Sequence, residues 1–123
     1  MSIYREIILD HYSNPRNAGK IEKPDAEATQ DNPLCGDRIT IQLVVKKGKI
    51  TNIKFSGQGC AISQASASLL TEMVIGKPIE YAKKTDQKTI FGAIGGDPGP
   101  SRAECALLAL SALRAAVERY EKT

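Results

Sequence analysis

The sequence predicts one α+β domain spanning residues 1–123: a small antiparallel sheet of about three strands, with helices packed on one face. Three observations predict it. Apolar residues alternate with polar ones around residues 39–45 and 51–55, and from Cys60 onward the apolar spacing becomes helical. The 123 residues contain no repeat, linker or low-complexity tract, so they amount to one modest core.

The first element is a short helix, which Ser2 can cap, with Ile3, Tyr4, Ile7, Ile8 and Tyr12 at helical spacing. "SNPRNAGK" stops it with a proline and a glycine. A short extended piece follows near Ala26 to Thr29. Ile39, Ile41, Leu43 and Val45 form the covered face of the clearest strand. "KKGK" turns the chain into a second alternating run, "TNIKF", which predicts a hairpin with a solvated, lysine-rich tip. After Cys60, a helical stripe of Ile62, Ala65, Leu69 and Met73 runs to a glycine stop at Gly76. "KPIEYAKK" predicts a short helix with Pro78 in its first turn, and "GAIGGDPGP" a flexible loop. The last helix opens on an S-x-x-E capping box, Ser101 with Glu104, and its apolar residues cover much of its circumference.

Composition excludes several classes of function. Hydrophobic residues are 41% and charged residues 25%, ordinary for a globular chain. The net charge of +3 is small and scattered, and aromatics are only 5%, so a nucleic-acid partner is not expected. No apolar run approaches the roughly 18 residues of a membrane span. The charged N-terminus does not read as a signal peptide. The expected location is cytoplasmic, where thiols stay reduced, and an odd count of three cysteines fits reactive or metal-bound thiols better than disulfides.

Those three cysteines share a kind of position. Cys35 lies in "NPLCGD", on a turn beside Asp37 and ahead of the first strong strand. Cys60 follows "SGQG" at a helix start, and Cys105 falls in the first turn of the last helix. Helix N-termini favour thiolate over thiol, and thiolate is the form that binds metal or attacks sulfur. Free cysteine is also often buried as a small hydrophobe. The alanines and leucines around Cys105 fit that second reading, whereas the turn residues around Cys35 do not. The chain has no C-x-x-C pair, so spacing alone leaves open whether the three thiols meet.

"DHYSNPRNAGK", "NPLCGD", "FSGQGCAISQASASLLTEMVIGK" and "RAECALLALSALRAAV" resemble, in order and over nearly the whole chain, the signatures of the IscU/SufU (NifU N-terminal-like) iron–sulfur scaffold family. The resemblance implies that Cys35, Asp37, Cys60 and Cys105 gather at one end of the domain. They would hold a labile [2Fe–2S] cluster and its iron there, or zinc in its place. It also implies a cysteine desulfurase (IscS/SufS-like) as sulfur source, an electron donor such as ferredoxin, and apo iron–sulfur proteins or carriers as recipients. The thiolates suit iron and zinc, and the carboxylate adds one harder, weaker ligand that eases release. Cys35, on its exposed turn, is the first-choice sulfur acceptor and Cys105 the second. Homo-oligomers that share a cluster between subunits are compatible with these ligands.

Two departures from the family pattern shape the expectation. IscU-type members usually carry His before the last cysteine, where this chain has Glu104, read here as a cap with metal ligation as the alternative. "GGDPGPSR" replaces the family's Leu-Pro-Pro-Val-Lys chaperone motif, and the interval from Cys60 to Cys105 leaves little room for the insertion common in SufU-type members. The one histidine, His11, reads as a surface or packing residue, which also disfavours a cysteine hydrolase in need of a histidine base. A scaffold is the leading expectation. A zinc-containing, SufU-like sulfurtransferase is the alternative, and an adaptor with inert thiols is a third class.

Overall fold

Burying Ile39, Ile41 and Leu43 on one side of a strand requires a second layer, and helices supply it. The computed structural model describes residues 3–33 and 36–122. The elements run in the order α1 (Ile3–Ser13), β1 (Ala26–Asn32), β2 (Asp37–Lys46), β3 (Lys49–Gln58), α2 (Ala61–Val74), α3 (Ile79–Lys84), α4 (Gln87–Ala93) and α5 (Ala103–Glu121). The strands form one antiparallel sheet in the order β1-β2-β3. Helix α5 lies against β1 and β2, and α2 lies against β3 and α5. This is the predicted α+β architecture. No helix is long and apolar enough to cross a membrane among the described residues.

Register follows from the hairpin. Lys46 pairs with Lys49 across Lys47 and Gly48, both at positive φ (54° and 78°), the backbone of a two-residue primed turn that matches strand twist. All four tip residues are exposed, as expected of a solvated turn. At the other end, Arg38 pairs with Gln58, and Asp37 pairs with Asn32 of β1. The hairpin thus sets the start of β2 beside the end of β3. Between β1 and α1, residue 18 bridges to Phe55 at the outer edge of β3. The Ile21 N–H then donates to Gln42 Oε1 (2.6 Å) as the chain crosses toward β1.

Several expectations change. The extended piece near residue 26 is a full strand of seven residues, and β2 and β3 are each ten residues long. Helix α2 is buried on more than a stripe: Leu70 and Val74 are fully buried, and Leu69 and Met73 are half-buried, because α1, α5 and β3 all pack against it. Gly76 has the predicted left-handed φ of 80°, and its N–H donates to Ile50 O. Pro78 precedes α3 as its N-cap instead of entering its first turn. Helix α4, absent from the sequence reading, takes Gly92 and Ala93 out of the expected loop. Its signal was Asp86, whose carboxylate accepts the Thr89 N–H at 3.0 Å.

The capping box does not form. The Gly99 carbonyl accepts both Arg102 N–H (3.1 Å) and Ala103 N–H (3.0 Å), so Ser101 lies inside a turn and α5 starts one residue later than a box requires. Arg102 occupies the N-cap with no side-chain bond, and Ser101 and Glu104 are both exposed. The expected cap at Ser2 lies outside the described residues.

His11 is buried, with Nδ1 2.8 Å from Ser68 Oγ, which also accepts the Arg16 backbone N–H at 2.8 Å. It packs α1 onto α2, in line with the packing reading. Burial holds its pKa below the ordinary 6.5, and nearby Arg16 adds to the effect, against smaller pulls from Glu72 and Asp10. The folded state therefore favours neutral imidazole, while the unfolded chain takes up a proton below about pH 6.5. This contribution to stability is complete above that pH and is lost as pH falls through the lowered folded value. Thermal melts between pH 7 and pH 5 should show Tm falling in the native protein, with a shallower fall in His11→Gln.

Candidate metal centre

Asp37 opens β2, and Cys60 stands two residues past the end of β3, so hairpin pairing alone brings their backbones together. Two glycines make the approach close. A Cβ on Gly57 (φ 146°) would collide with the Arg38 carbonyl, and one on Gly59 (φ 150°) would meet Asp37 Oδ1 and lie 2.7 Å from Ser63 Oγ. Through the gap left by Gly59, the Cys60 backbone N–H donates to Asp37 Oδ1 at 2.9 Å. Asp37 Oδ2 then faces Cys60 Sγ at 3.8 Å. Ser63 donates its hydroxyl to the Cys60 carbonyl (3.0 Å) and so steadies the first turn of α2.

Helix α5 delivers the third group. Its third residue, Cys105, belongs to a small apolar cluster with Ile8, Ile62, Ala65, Ile94 and Ala106. One ligand atom from each of Asp37, Cys60 and Cys105 lies within 4.8 Å of the other two. Asp37 and Cys105 are 2% and 4% exposed, whereas Cys60 is open to solvent. The group thus has a dry side and a wet side. The N-termini of α2 and α5 both end at it, and their partial positive charge favours an anionic donor set.

The donors fit a borderline-soft ion. Two thiolates with one carboxylate suit zinc or iron, and a tetrahedral site with Zn–S near 2.3 Å holds its sulfurs roughly 3.8 Å apart. A small contraction closes the group on such an ion. With Oδ1 taken by the Cys60 N–H, Asp37 has one oxygen, Oδ2, to give.

Three of the four expected ligands, remote in sequence, therefore meet. The fourth, Cys35, lies outside the described residues. Glu104 is exposed and is not among the three grouped donors; it lines a groove of about 420 Å³ with Asn32, Pro33 and Leu107. A second hollow of about 430 Å³, lined by Asp31, Asn32, Gly36, Asp37 and Gln58, borders the carboxylate. Sequence reasoning missed Gly59, Ser63 and Asn32. Ser63, three residues after a helix-opening cysteine, was readable as a turn-steadying hydroxyl. The other two act through contacts between elements.

Two cysteines and a carboxylate able to bind metal, on a three-stranded α+β fold, define a class of small proteins with a cysteine–aspartate metal-binding group. Residues 3–123 match the NifU-like N-terminal domain, and the chain belongs to that family, which includes the IscU and SufU proteins. It is 44% identical over 118 residues to iron–sulfur cluster assembly scaffold protein IscU 1 of Archaeoglobus fulgidus, covering 96% of this chain and 76% of that one. It is 36% identical over 137 residues to the zinc-dependent sulfurtransferase SufU of Bacillus subtilis, covering 98% and 92%. Among solved structures, a putative iron–sulfur cluster assembly scaffold protein for the SUF system from Fervidobacterium islandicum superposes with a TM-score of 0.77 at 30% identity, covering 94% and 96%.

Gly59→Ala tests the close approach. A methyl there displaces Asp37 Oδ1, so zinc affinity by chelator competition should fall about 10- to 100-fold, the usual effect of disturbing a ligand's support. Far-UV circular dichroism should be retained, and unchanged affinity would refute the role of the gap.

Proposed function

We propose that this protein is an iron–sulfur cluster assembly scaffold. It accepts sulfur from a cysteine desulfurase, builds a labile [2Fe–2S] cluster on Cys35, Asp37, Cys60 and Cys105, and passes it to apo-proteins. The observation that carries the proposal is the convergence of Asp37 Oδ2 with the Cys60 and Cys105 sulfurs at one rim. The similarity to scaffold proteins of the IscU type, over 96% and 95% of this chain, supports it. Sulfur arrives by thiol exchange: a thiolate here attacks the outer sulfur of the desulfurase persulfide, the S–S bond breaks, and the desulfurase leaves as thiolate. An electron donor such as ferredoxin supplies the reducing equivalents for cluster formation, and the finished cluster is cargo.

Burial reorders the acceptors. Cys35 remains our first choice, but Cys105, at 4% exposure inside an apolar cluster, is poorly placed to reach a persulfide on another protein. The exposed Cys60 takes second place. A carboxylate in place of a fourth thiolate gives the cluster a weaker, more exchangeable ligand, as release requires.

A second reading, a zinc-dependent sulfurtransferase, is favoured by the similarity to SufU over 92% of that protein. Anaerobic purification with iron, acid-labile sulfide and zinc counted per chain separates the two. Reconstitution with desulfurase, cysteine and iron should give visible cluster absorption, lost in Cys35→Ser, Cys60→Ser and Cys105→Ser taken singly. Mass spectrometry should find persulfide retained on Cys105→Ser and abolished on Cys35→Ser. Zinc alone after reconstitution, with faster desulfurase turnover, would decide for the transferase.

A further inference from the structure

We propose that Asn32 is a positioning residue for the metal centre: its carboxamide N–H is aimed at Cys105 Sγ and draws charge from that sulfur when the sulfur ligates metal. The inference rests on the assignment of Cys105 as a ligand. Strand β1 turns Ala26, Ala28 and Asn32 inward, toward α5. An alanine or valine would suit the last of these positions, yet it carries a carboxamide that is 7% exposed. Burying an amide is unfavourable unless a partner receives its N–H groups. Among the described residues, the partner the structure gives it is Cys105 Sγ, 4.0 Å from Nδ2.

The backbone around Asn32 is pinned. It pairs directly with Asp37 across β1 and β2, its carbonyl accepts the Gly36 N–H at 2.9 Å, and Pro33 confines it to the extended region. Directly opposed residues share a sheet face, so Asn32 and Asp37 both face inward, Asn32 reaching Cys105 and Asp37 reaching Cys60. Cys105 packs in an apolar cluster with Ile62, Ala65 and Ala106. Hydrogen bonds to a ligating thiolate stabilise charge on sulfur, raise the reduction potential of a bound centre and move thiolate-to-metal charge transfer to higher energy.

The test uses Co²⁺ as a spectroscopic probe in the full chain, comparing the native protein with Asn32→Leu and Asn32→Asp. Leucine matches the volume without polarity, and aspartate keeps the shape but cannot donate when ionised. Both variants should show their sulfur-to-cobalt band at longer wavelength and bind Co²⁺ about 10- to 100-fold more weakly. A purely structural role would lower Tm and leave the band in place. An unshifted band with native affinity in either folded variant overturns the proposal. A native protein that binds Co²⁺ without any sulfur band overturns the ligand assignment itself, and the role of Asn32 with it.

Discussion

The hydrogen bond from the Cys60 N–H to Asp37 Oδ1 joins the end of the sheet to the beginning of α2, and the centre depends on it. It satisfies one buried carboxylate oxygen and aims the other at the Cys60 sulfur. A carboxyl group 2% exposed is costly to bury unless its oxygens have hydrogen-bond partners. The bond does that with a backbone donor, which no side-chain motion can withdraw. The two glycines that admit it, Gly57 and Gly59, are therefore part of the site although neither carries a side chain.

This bond in turn depends on the hairpin. Antiparallel pairing of β2 with β3 fixes the distance between Asp37 and Gln58, and the short step from Gln58 to Cys60 leaves the chain little freedom. Helix α5 has to bring Cys105 from far along the sequence, and it does so by packing. Ala109, Leu110, Ala112 and Leu113 bury its body against the sheet and α2, and that sets the height of its first turn. The hairpin fixes two donors and the core fixes the third.

Much of this was legible in the residues, for physical reasons. Ile39 to Val45 alternate because one face of β2 is buried, and the hairpin tip announces itself through Gly48 and its lysines. Local patterns failed where a neighbouring element decided the outcome. Ser101 and Glu104 have the right spacing for a capping box, but the Gly99 carbonyl captures two N–H groups first and shifts the helix start. The stripe read on α2 missed Leu70 and Val74 because three elements, α1, α5 and β3, pack against that helix, and a one-face periodicity registers only one neighbour. Of the site, Asp37, Cys60 and Cys105 were named from residue type and family resemblance. Gly59 and Asn32 were not, since each matters only through an atom of another element.

The uneven burial of the donors bears on what the centre can do. Asp37 and Cys105 are anchored in dry surroundings, each reached by a hydrogen-bond donor from the chain, whereas Cys60 faces solvent. Electrostatic attraction between an ion and its ligands strengthens as water is excluded, so the dry pair is suited to retaining metal. Ligand exchange needs an open sulfur, and Cys60 offers one on the wet side of the group. A closed four-thiolate cage would hold its cluster more tightly and release it less readily. The half-open group is bordered by two hollows that share Asp31, Asn32 and Pro33 in their linings, so its solvent side is approachable without disturbing the core that supports it.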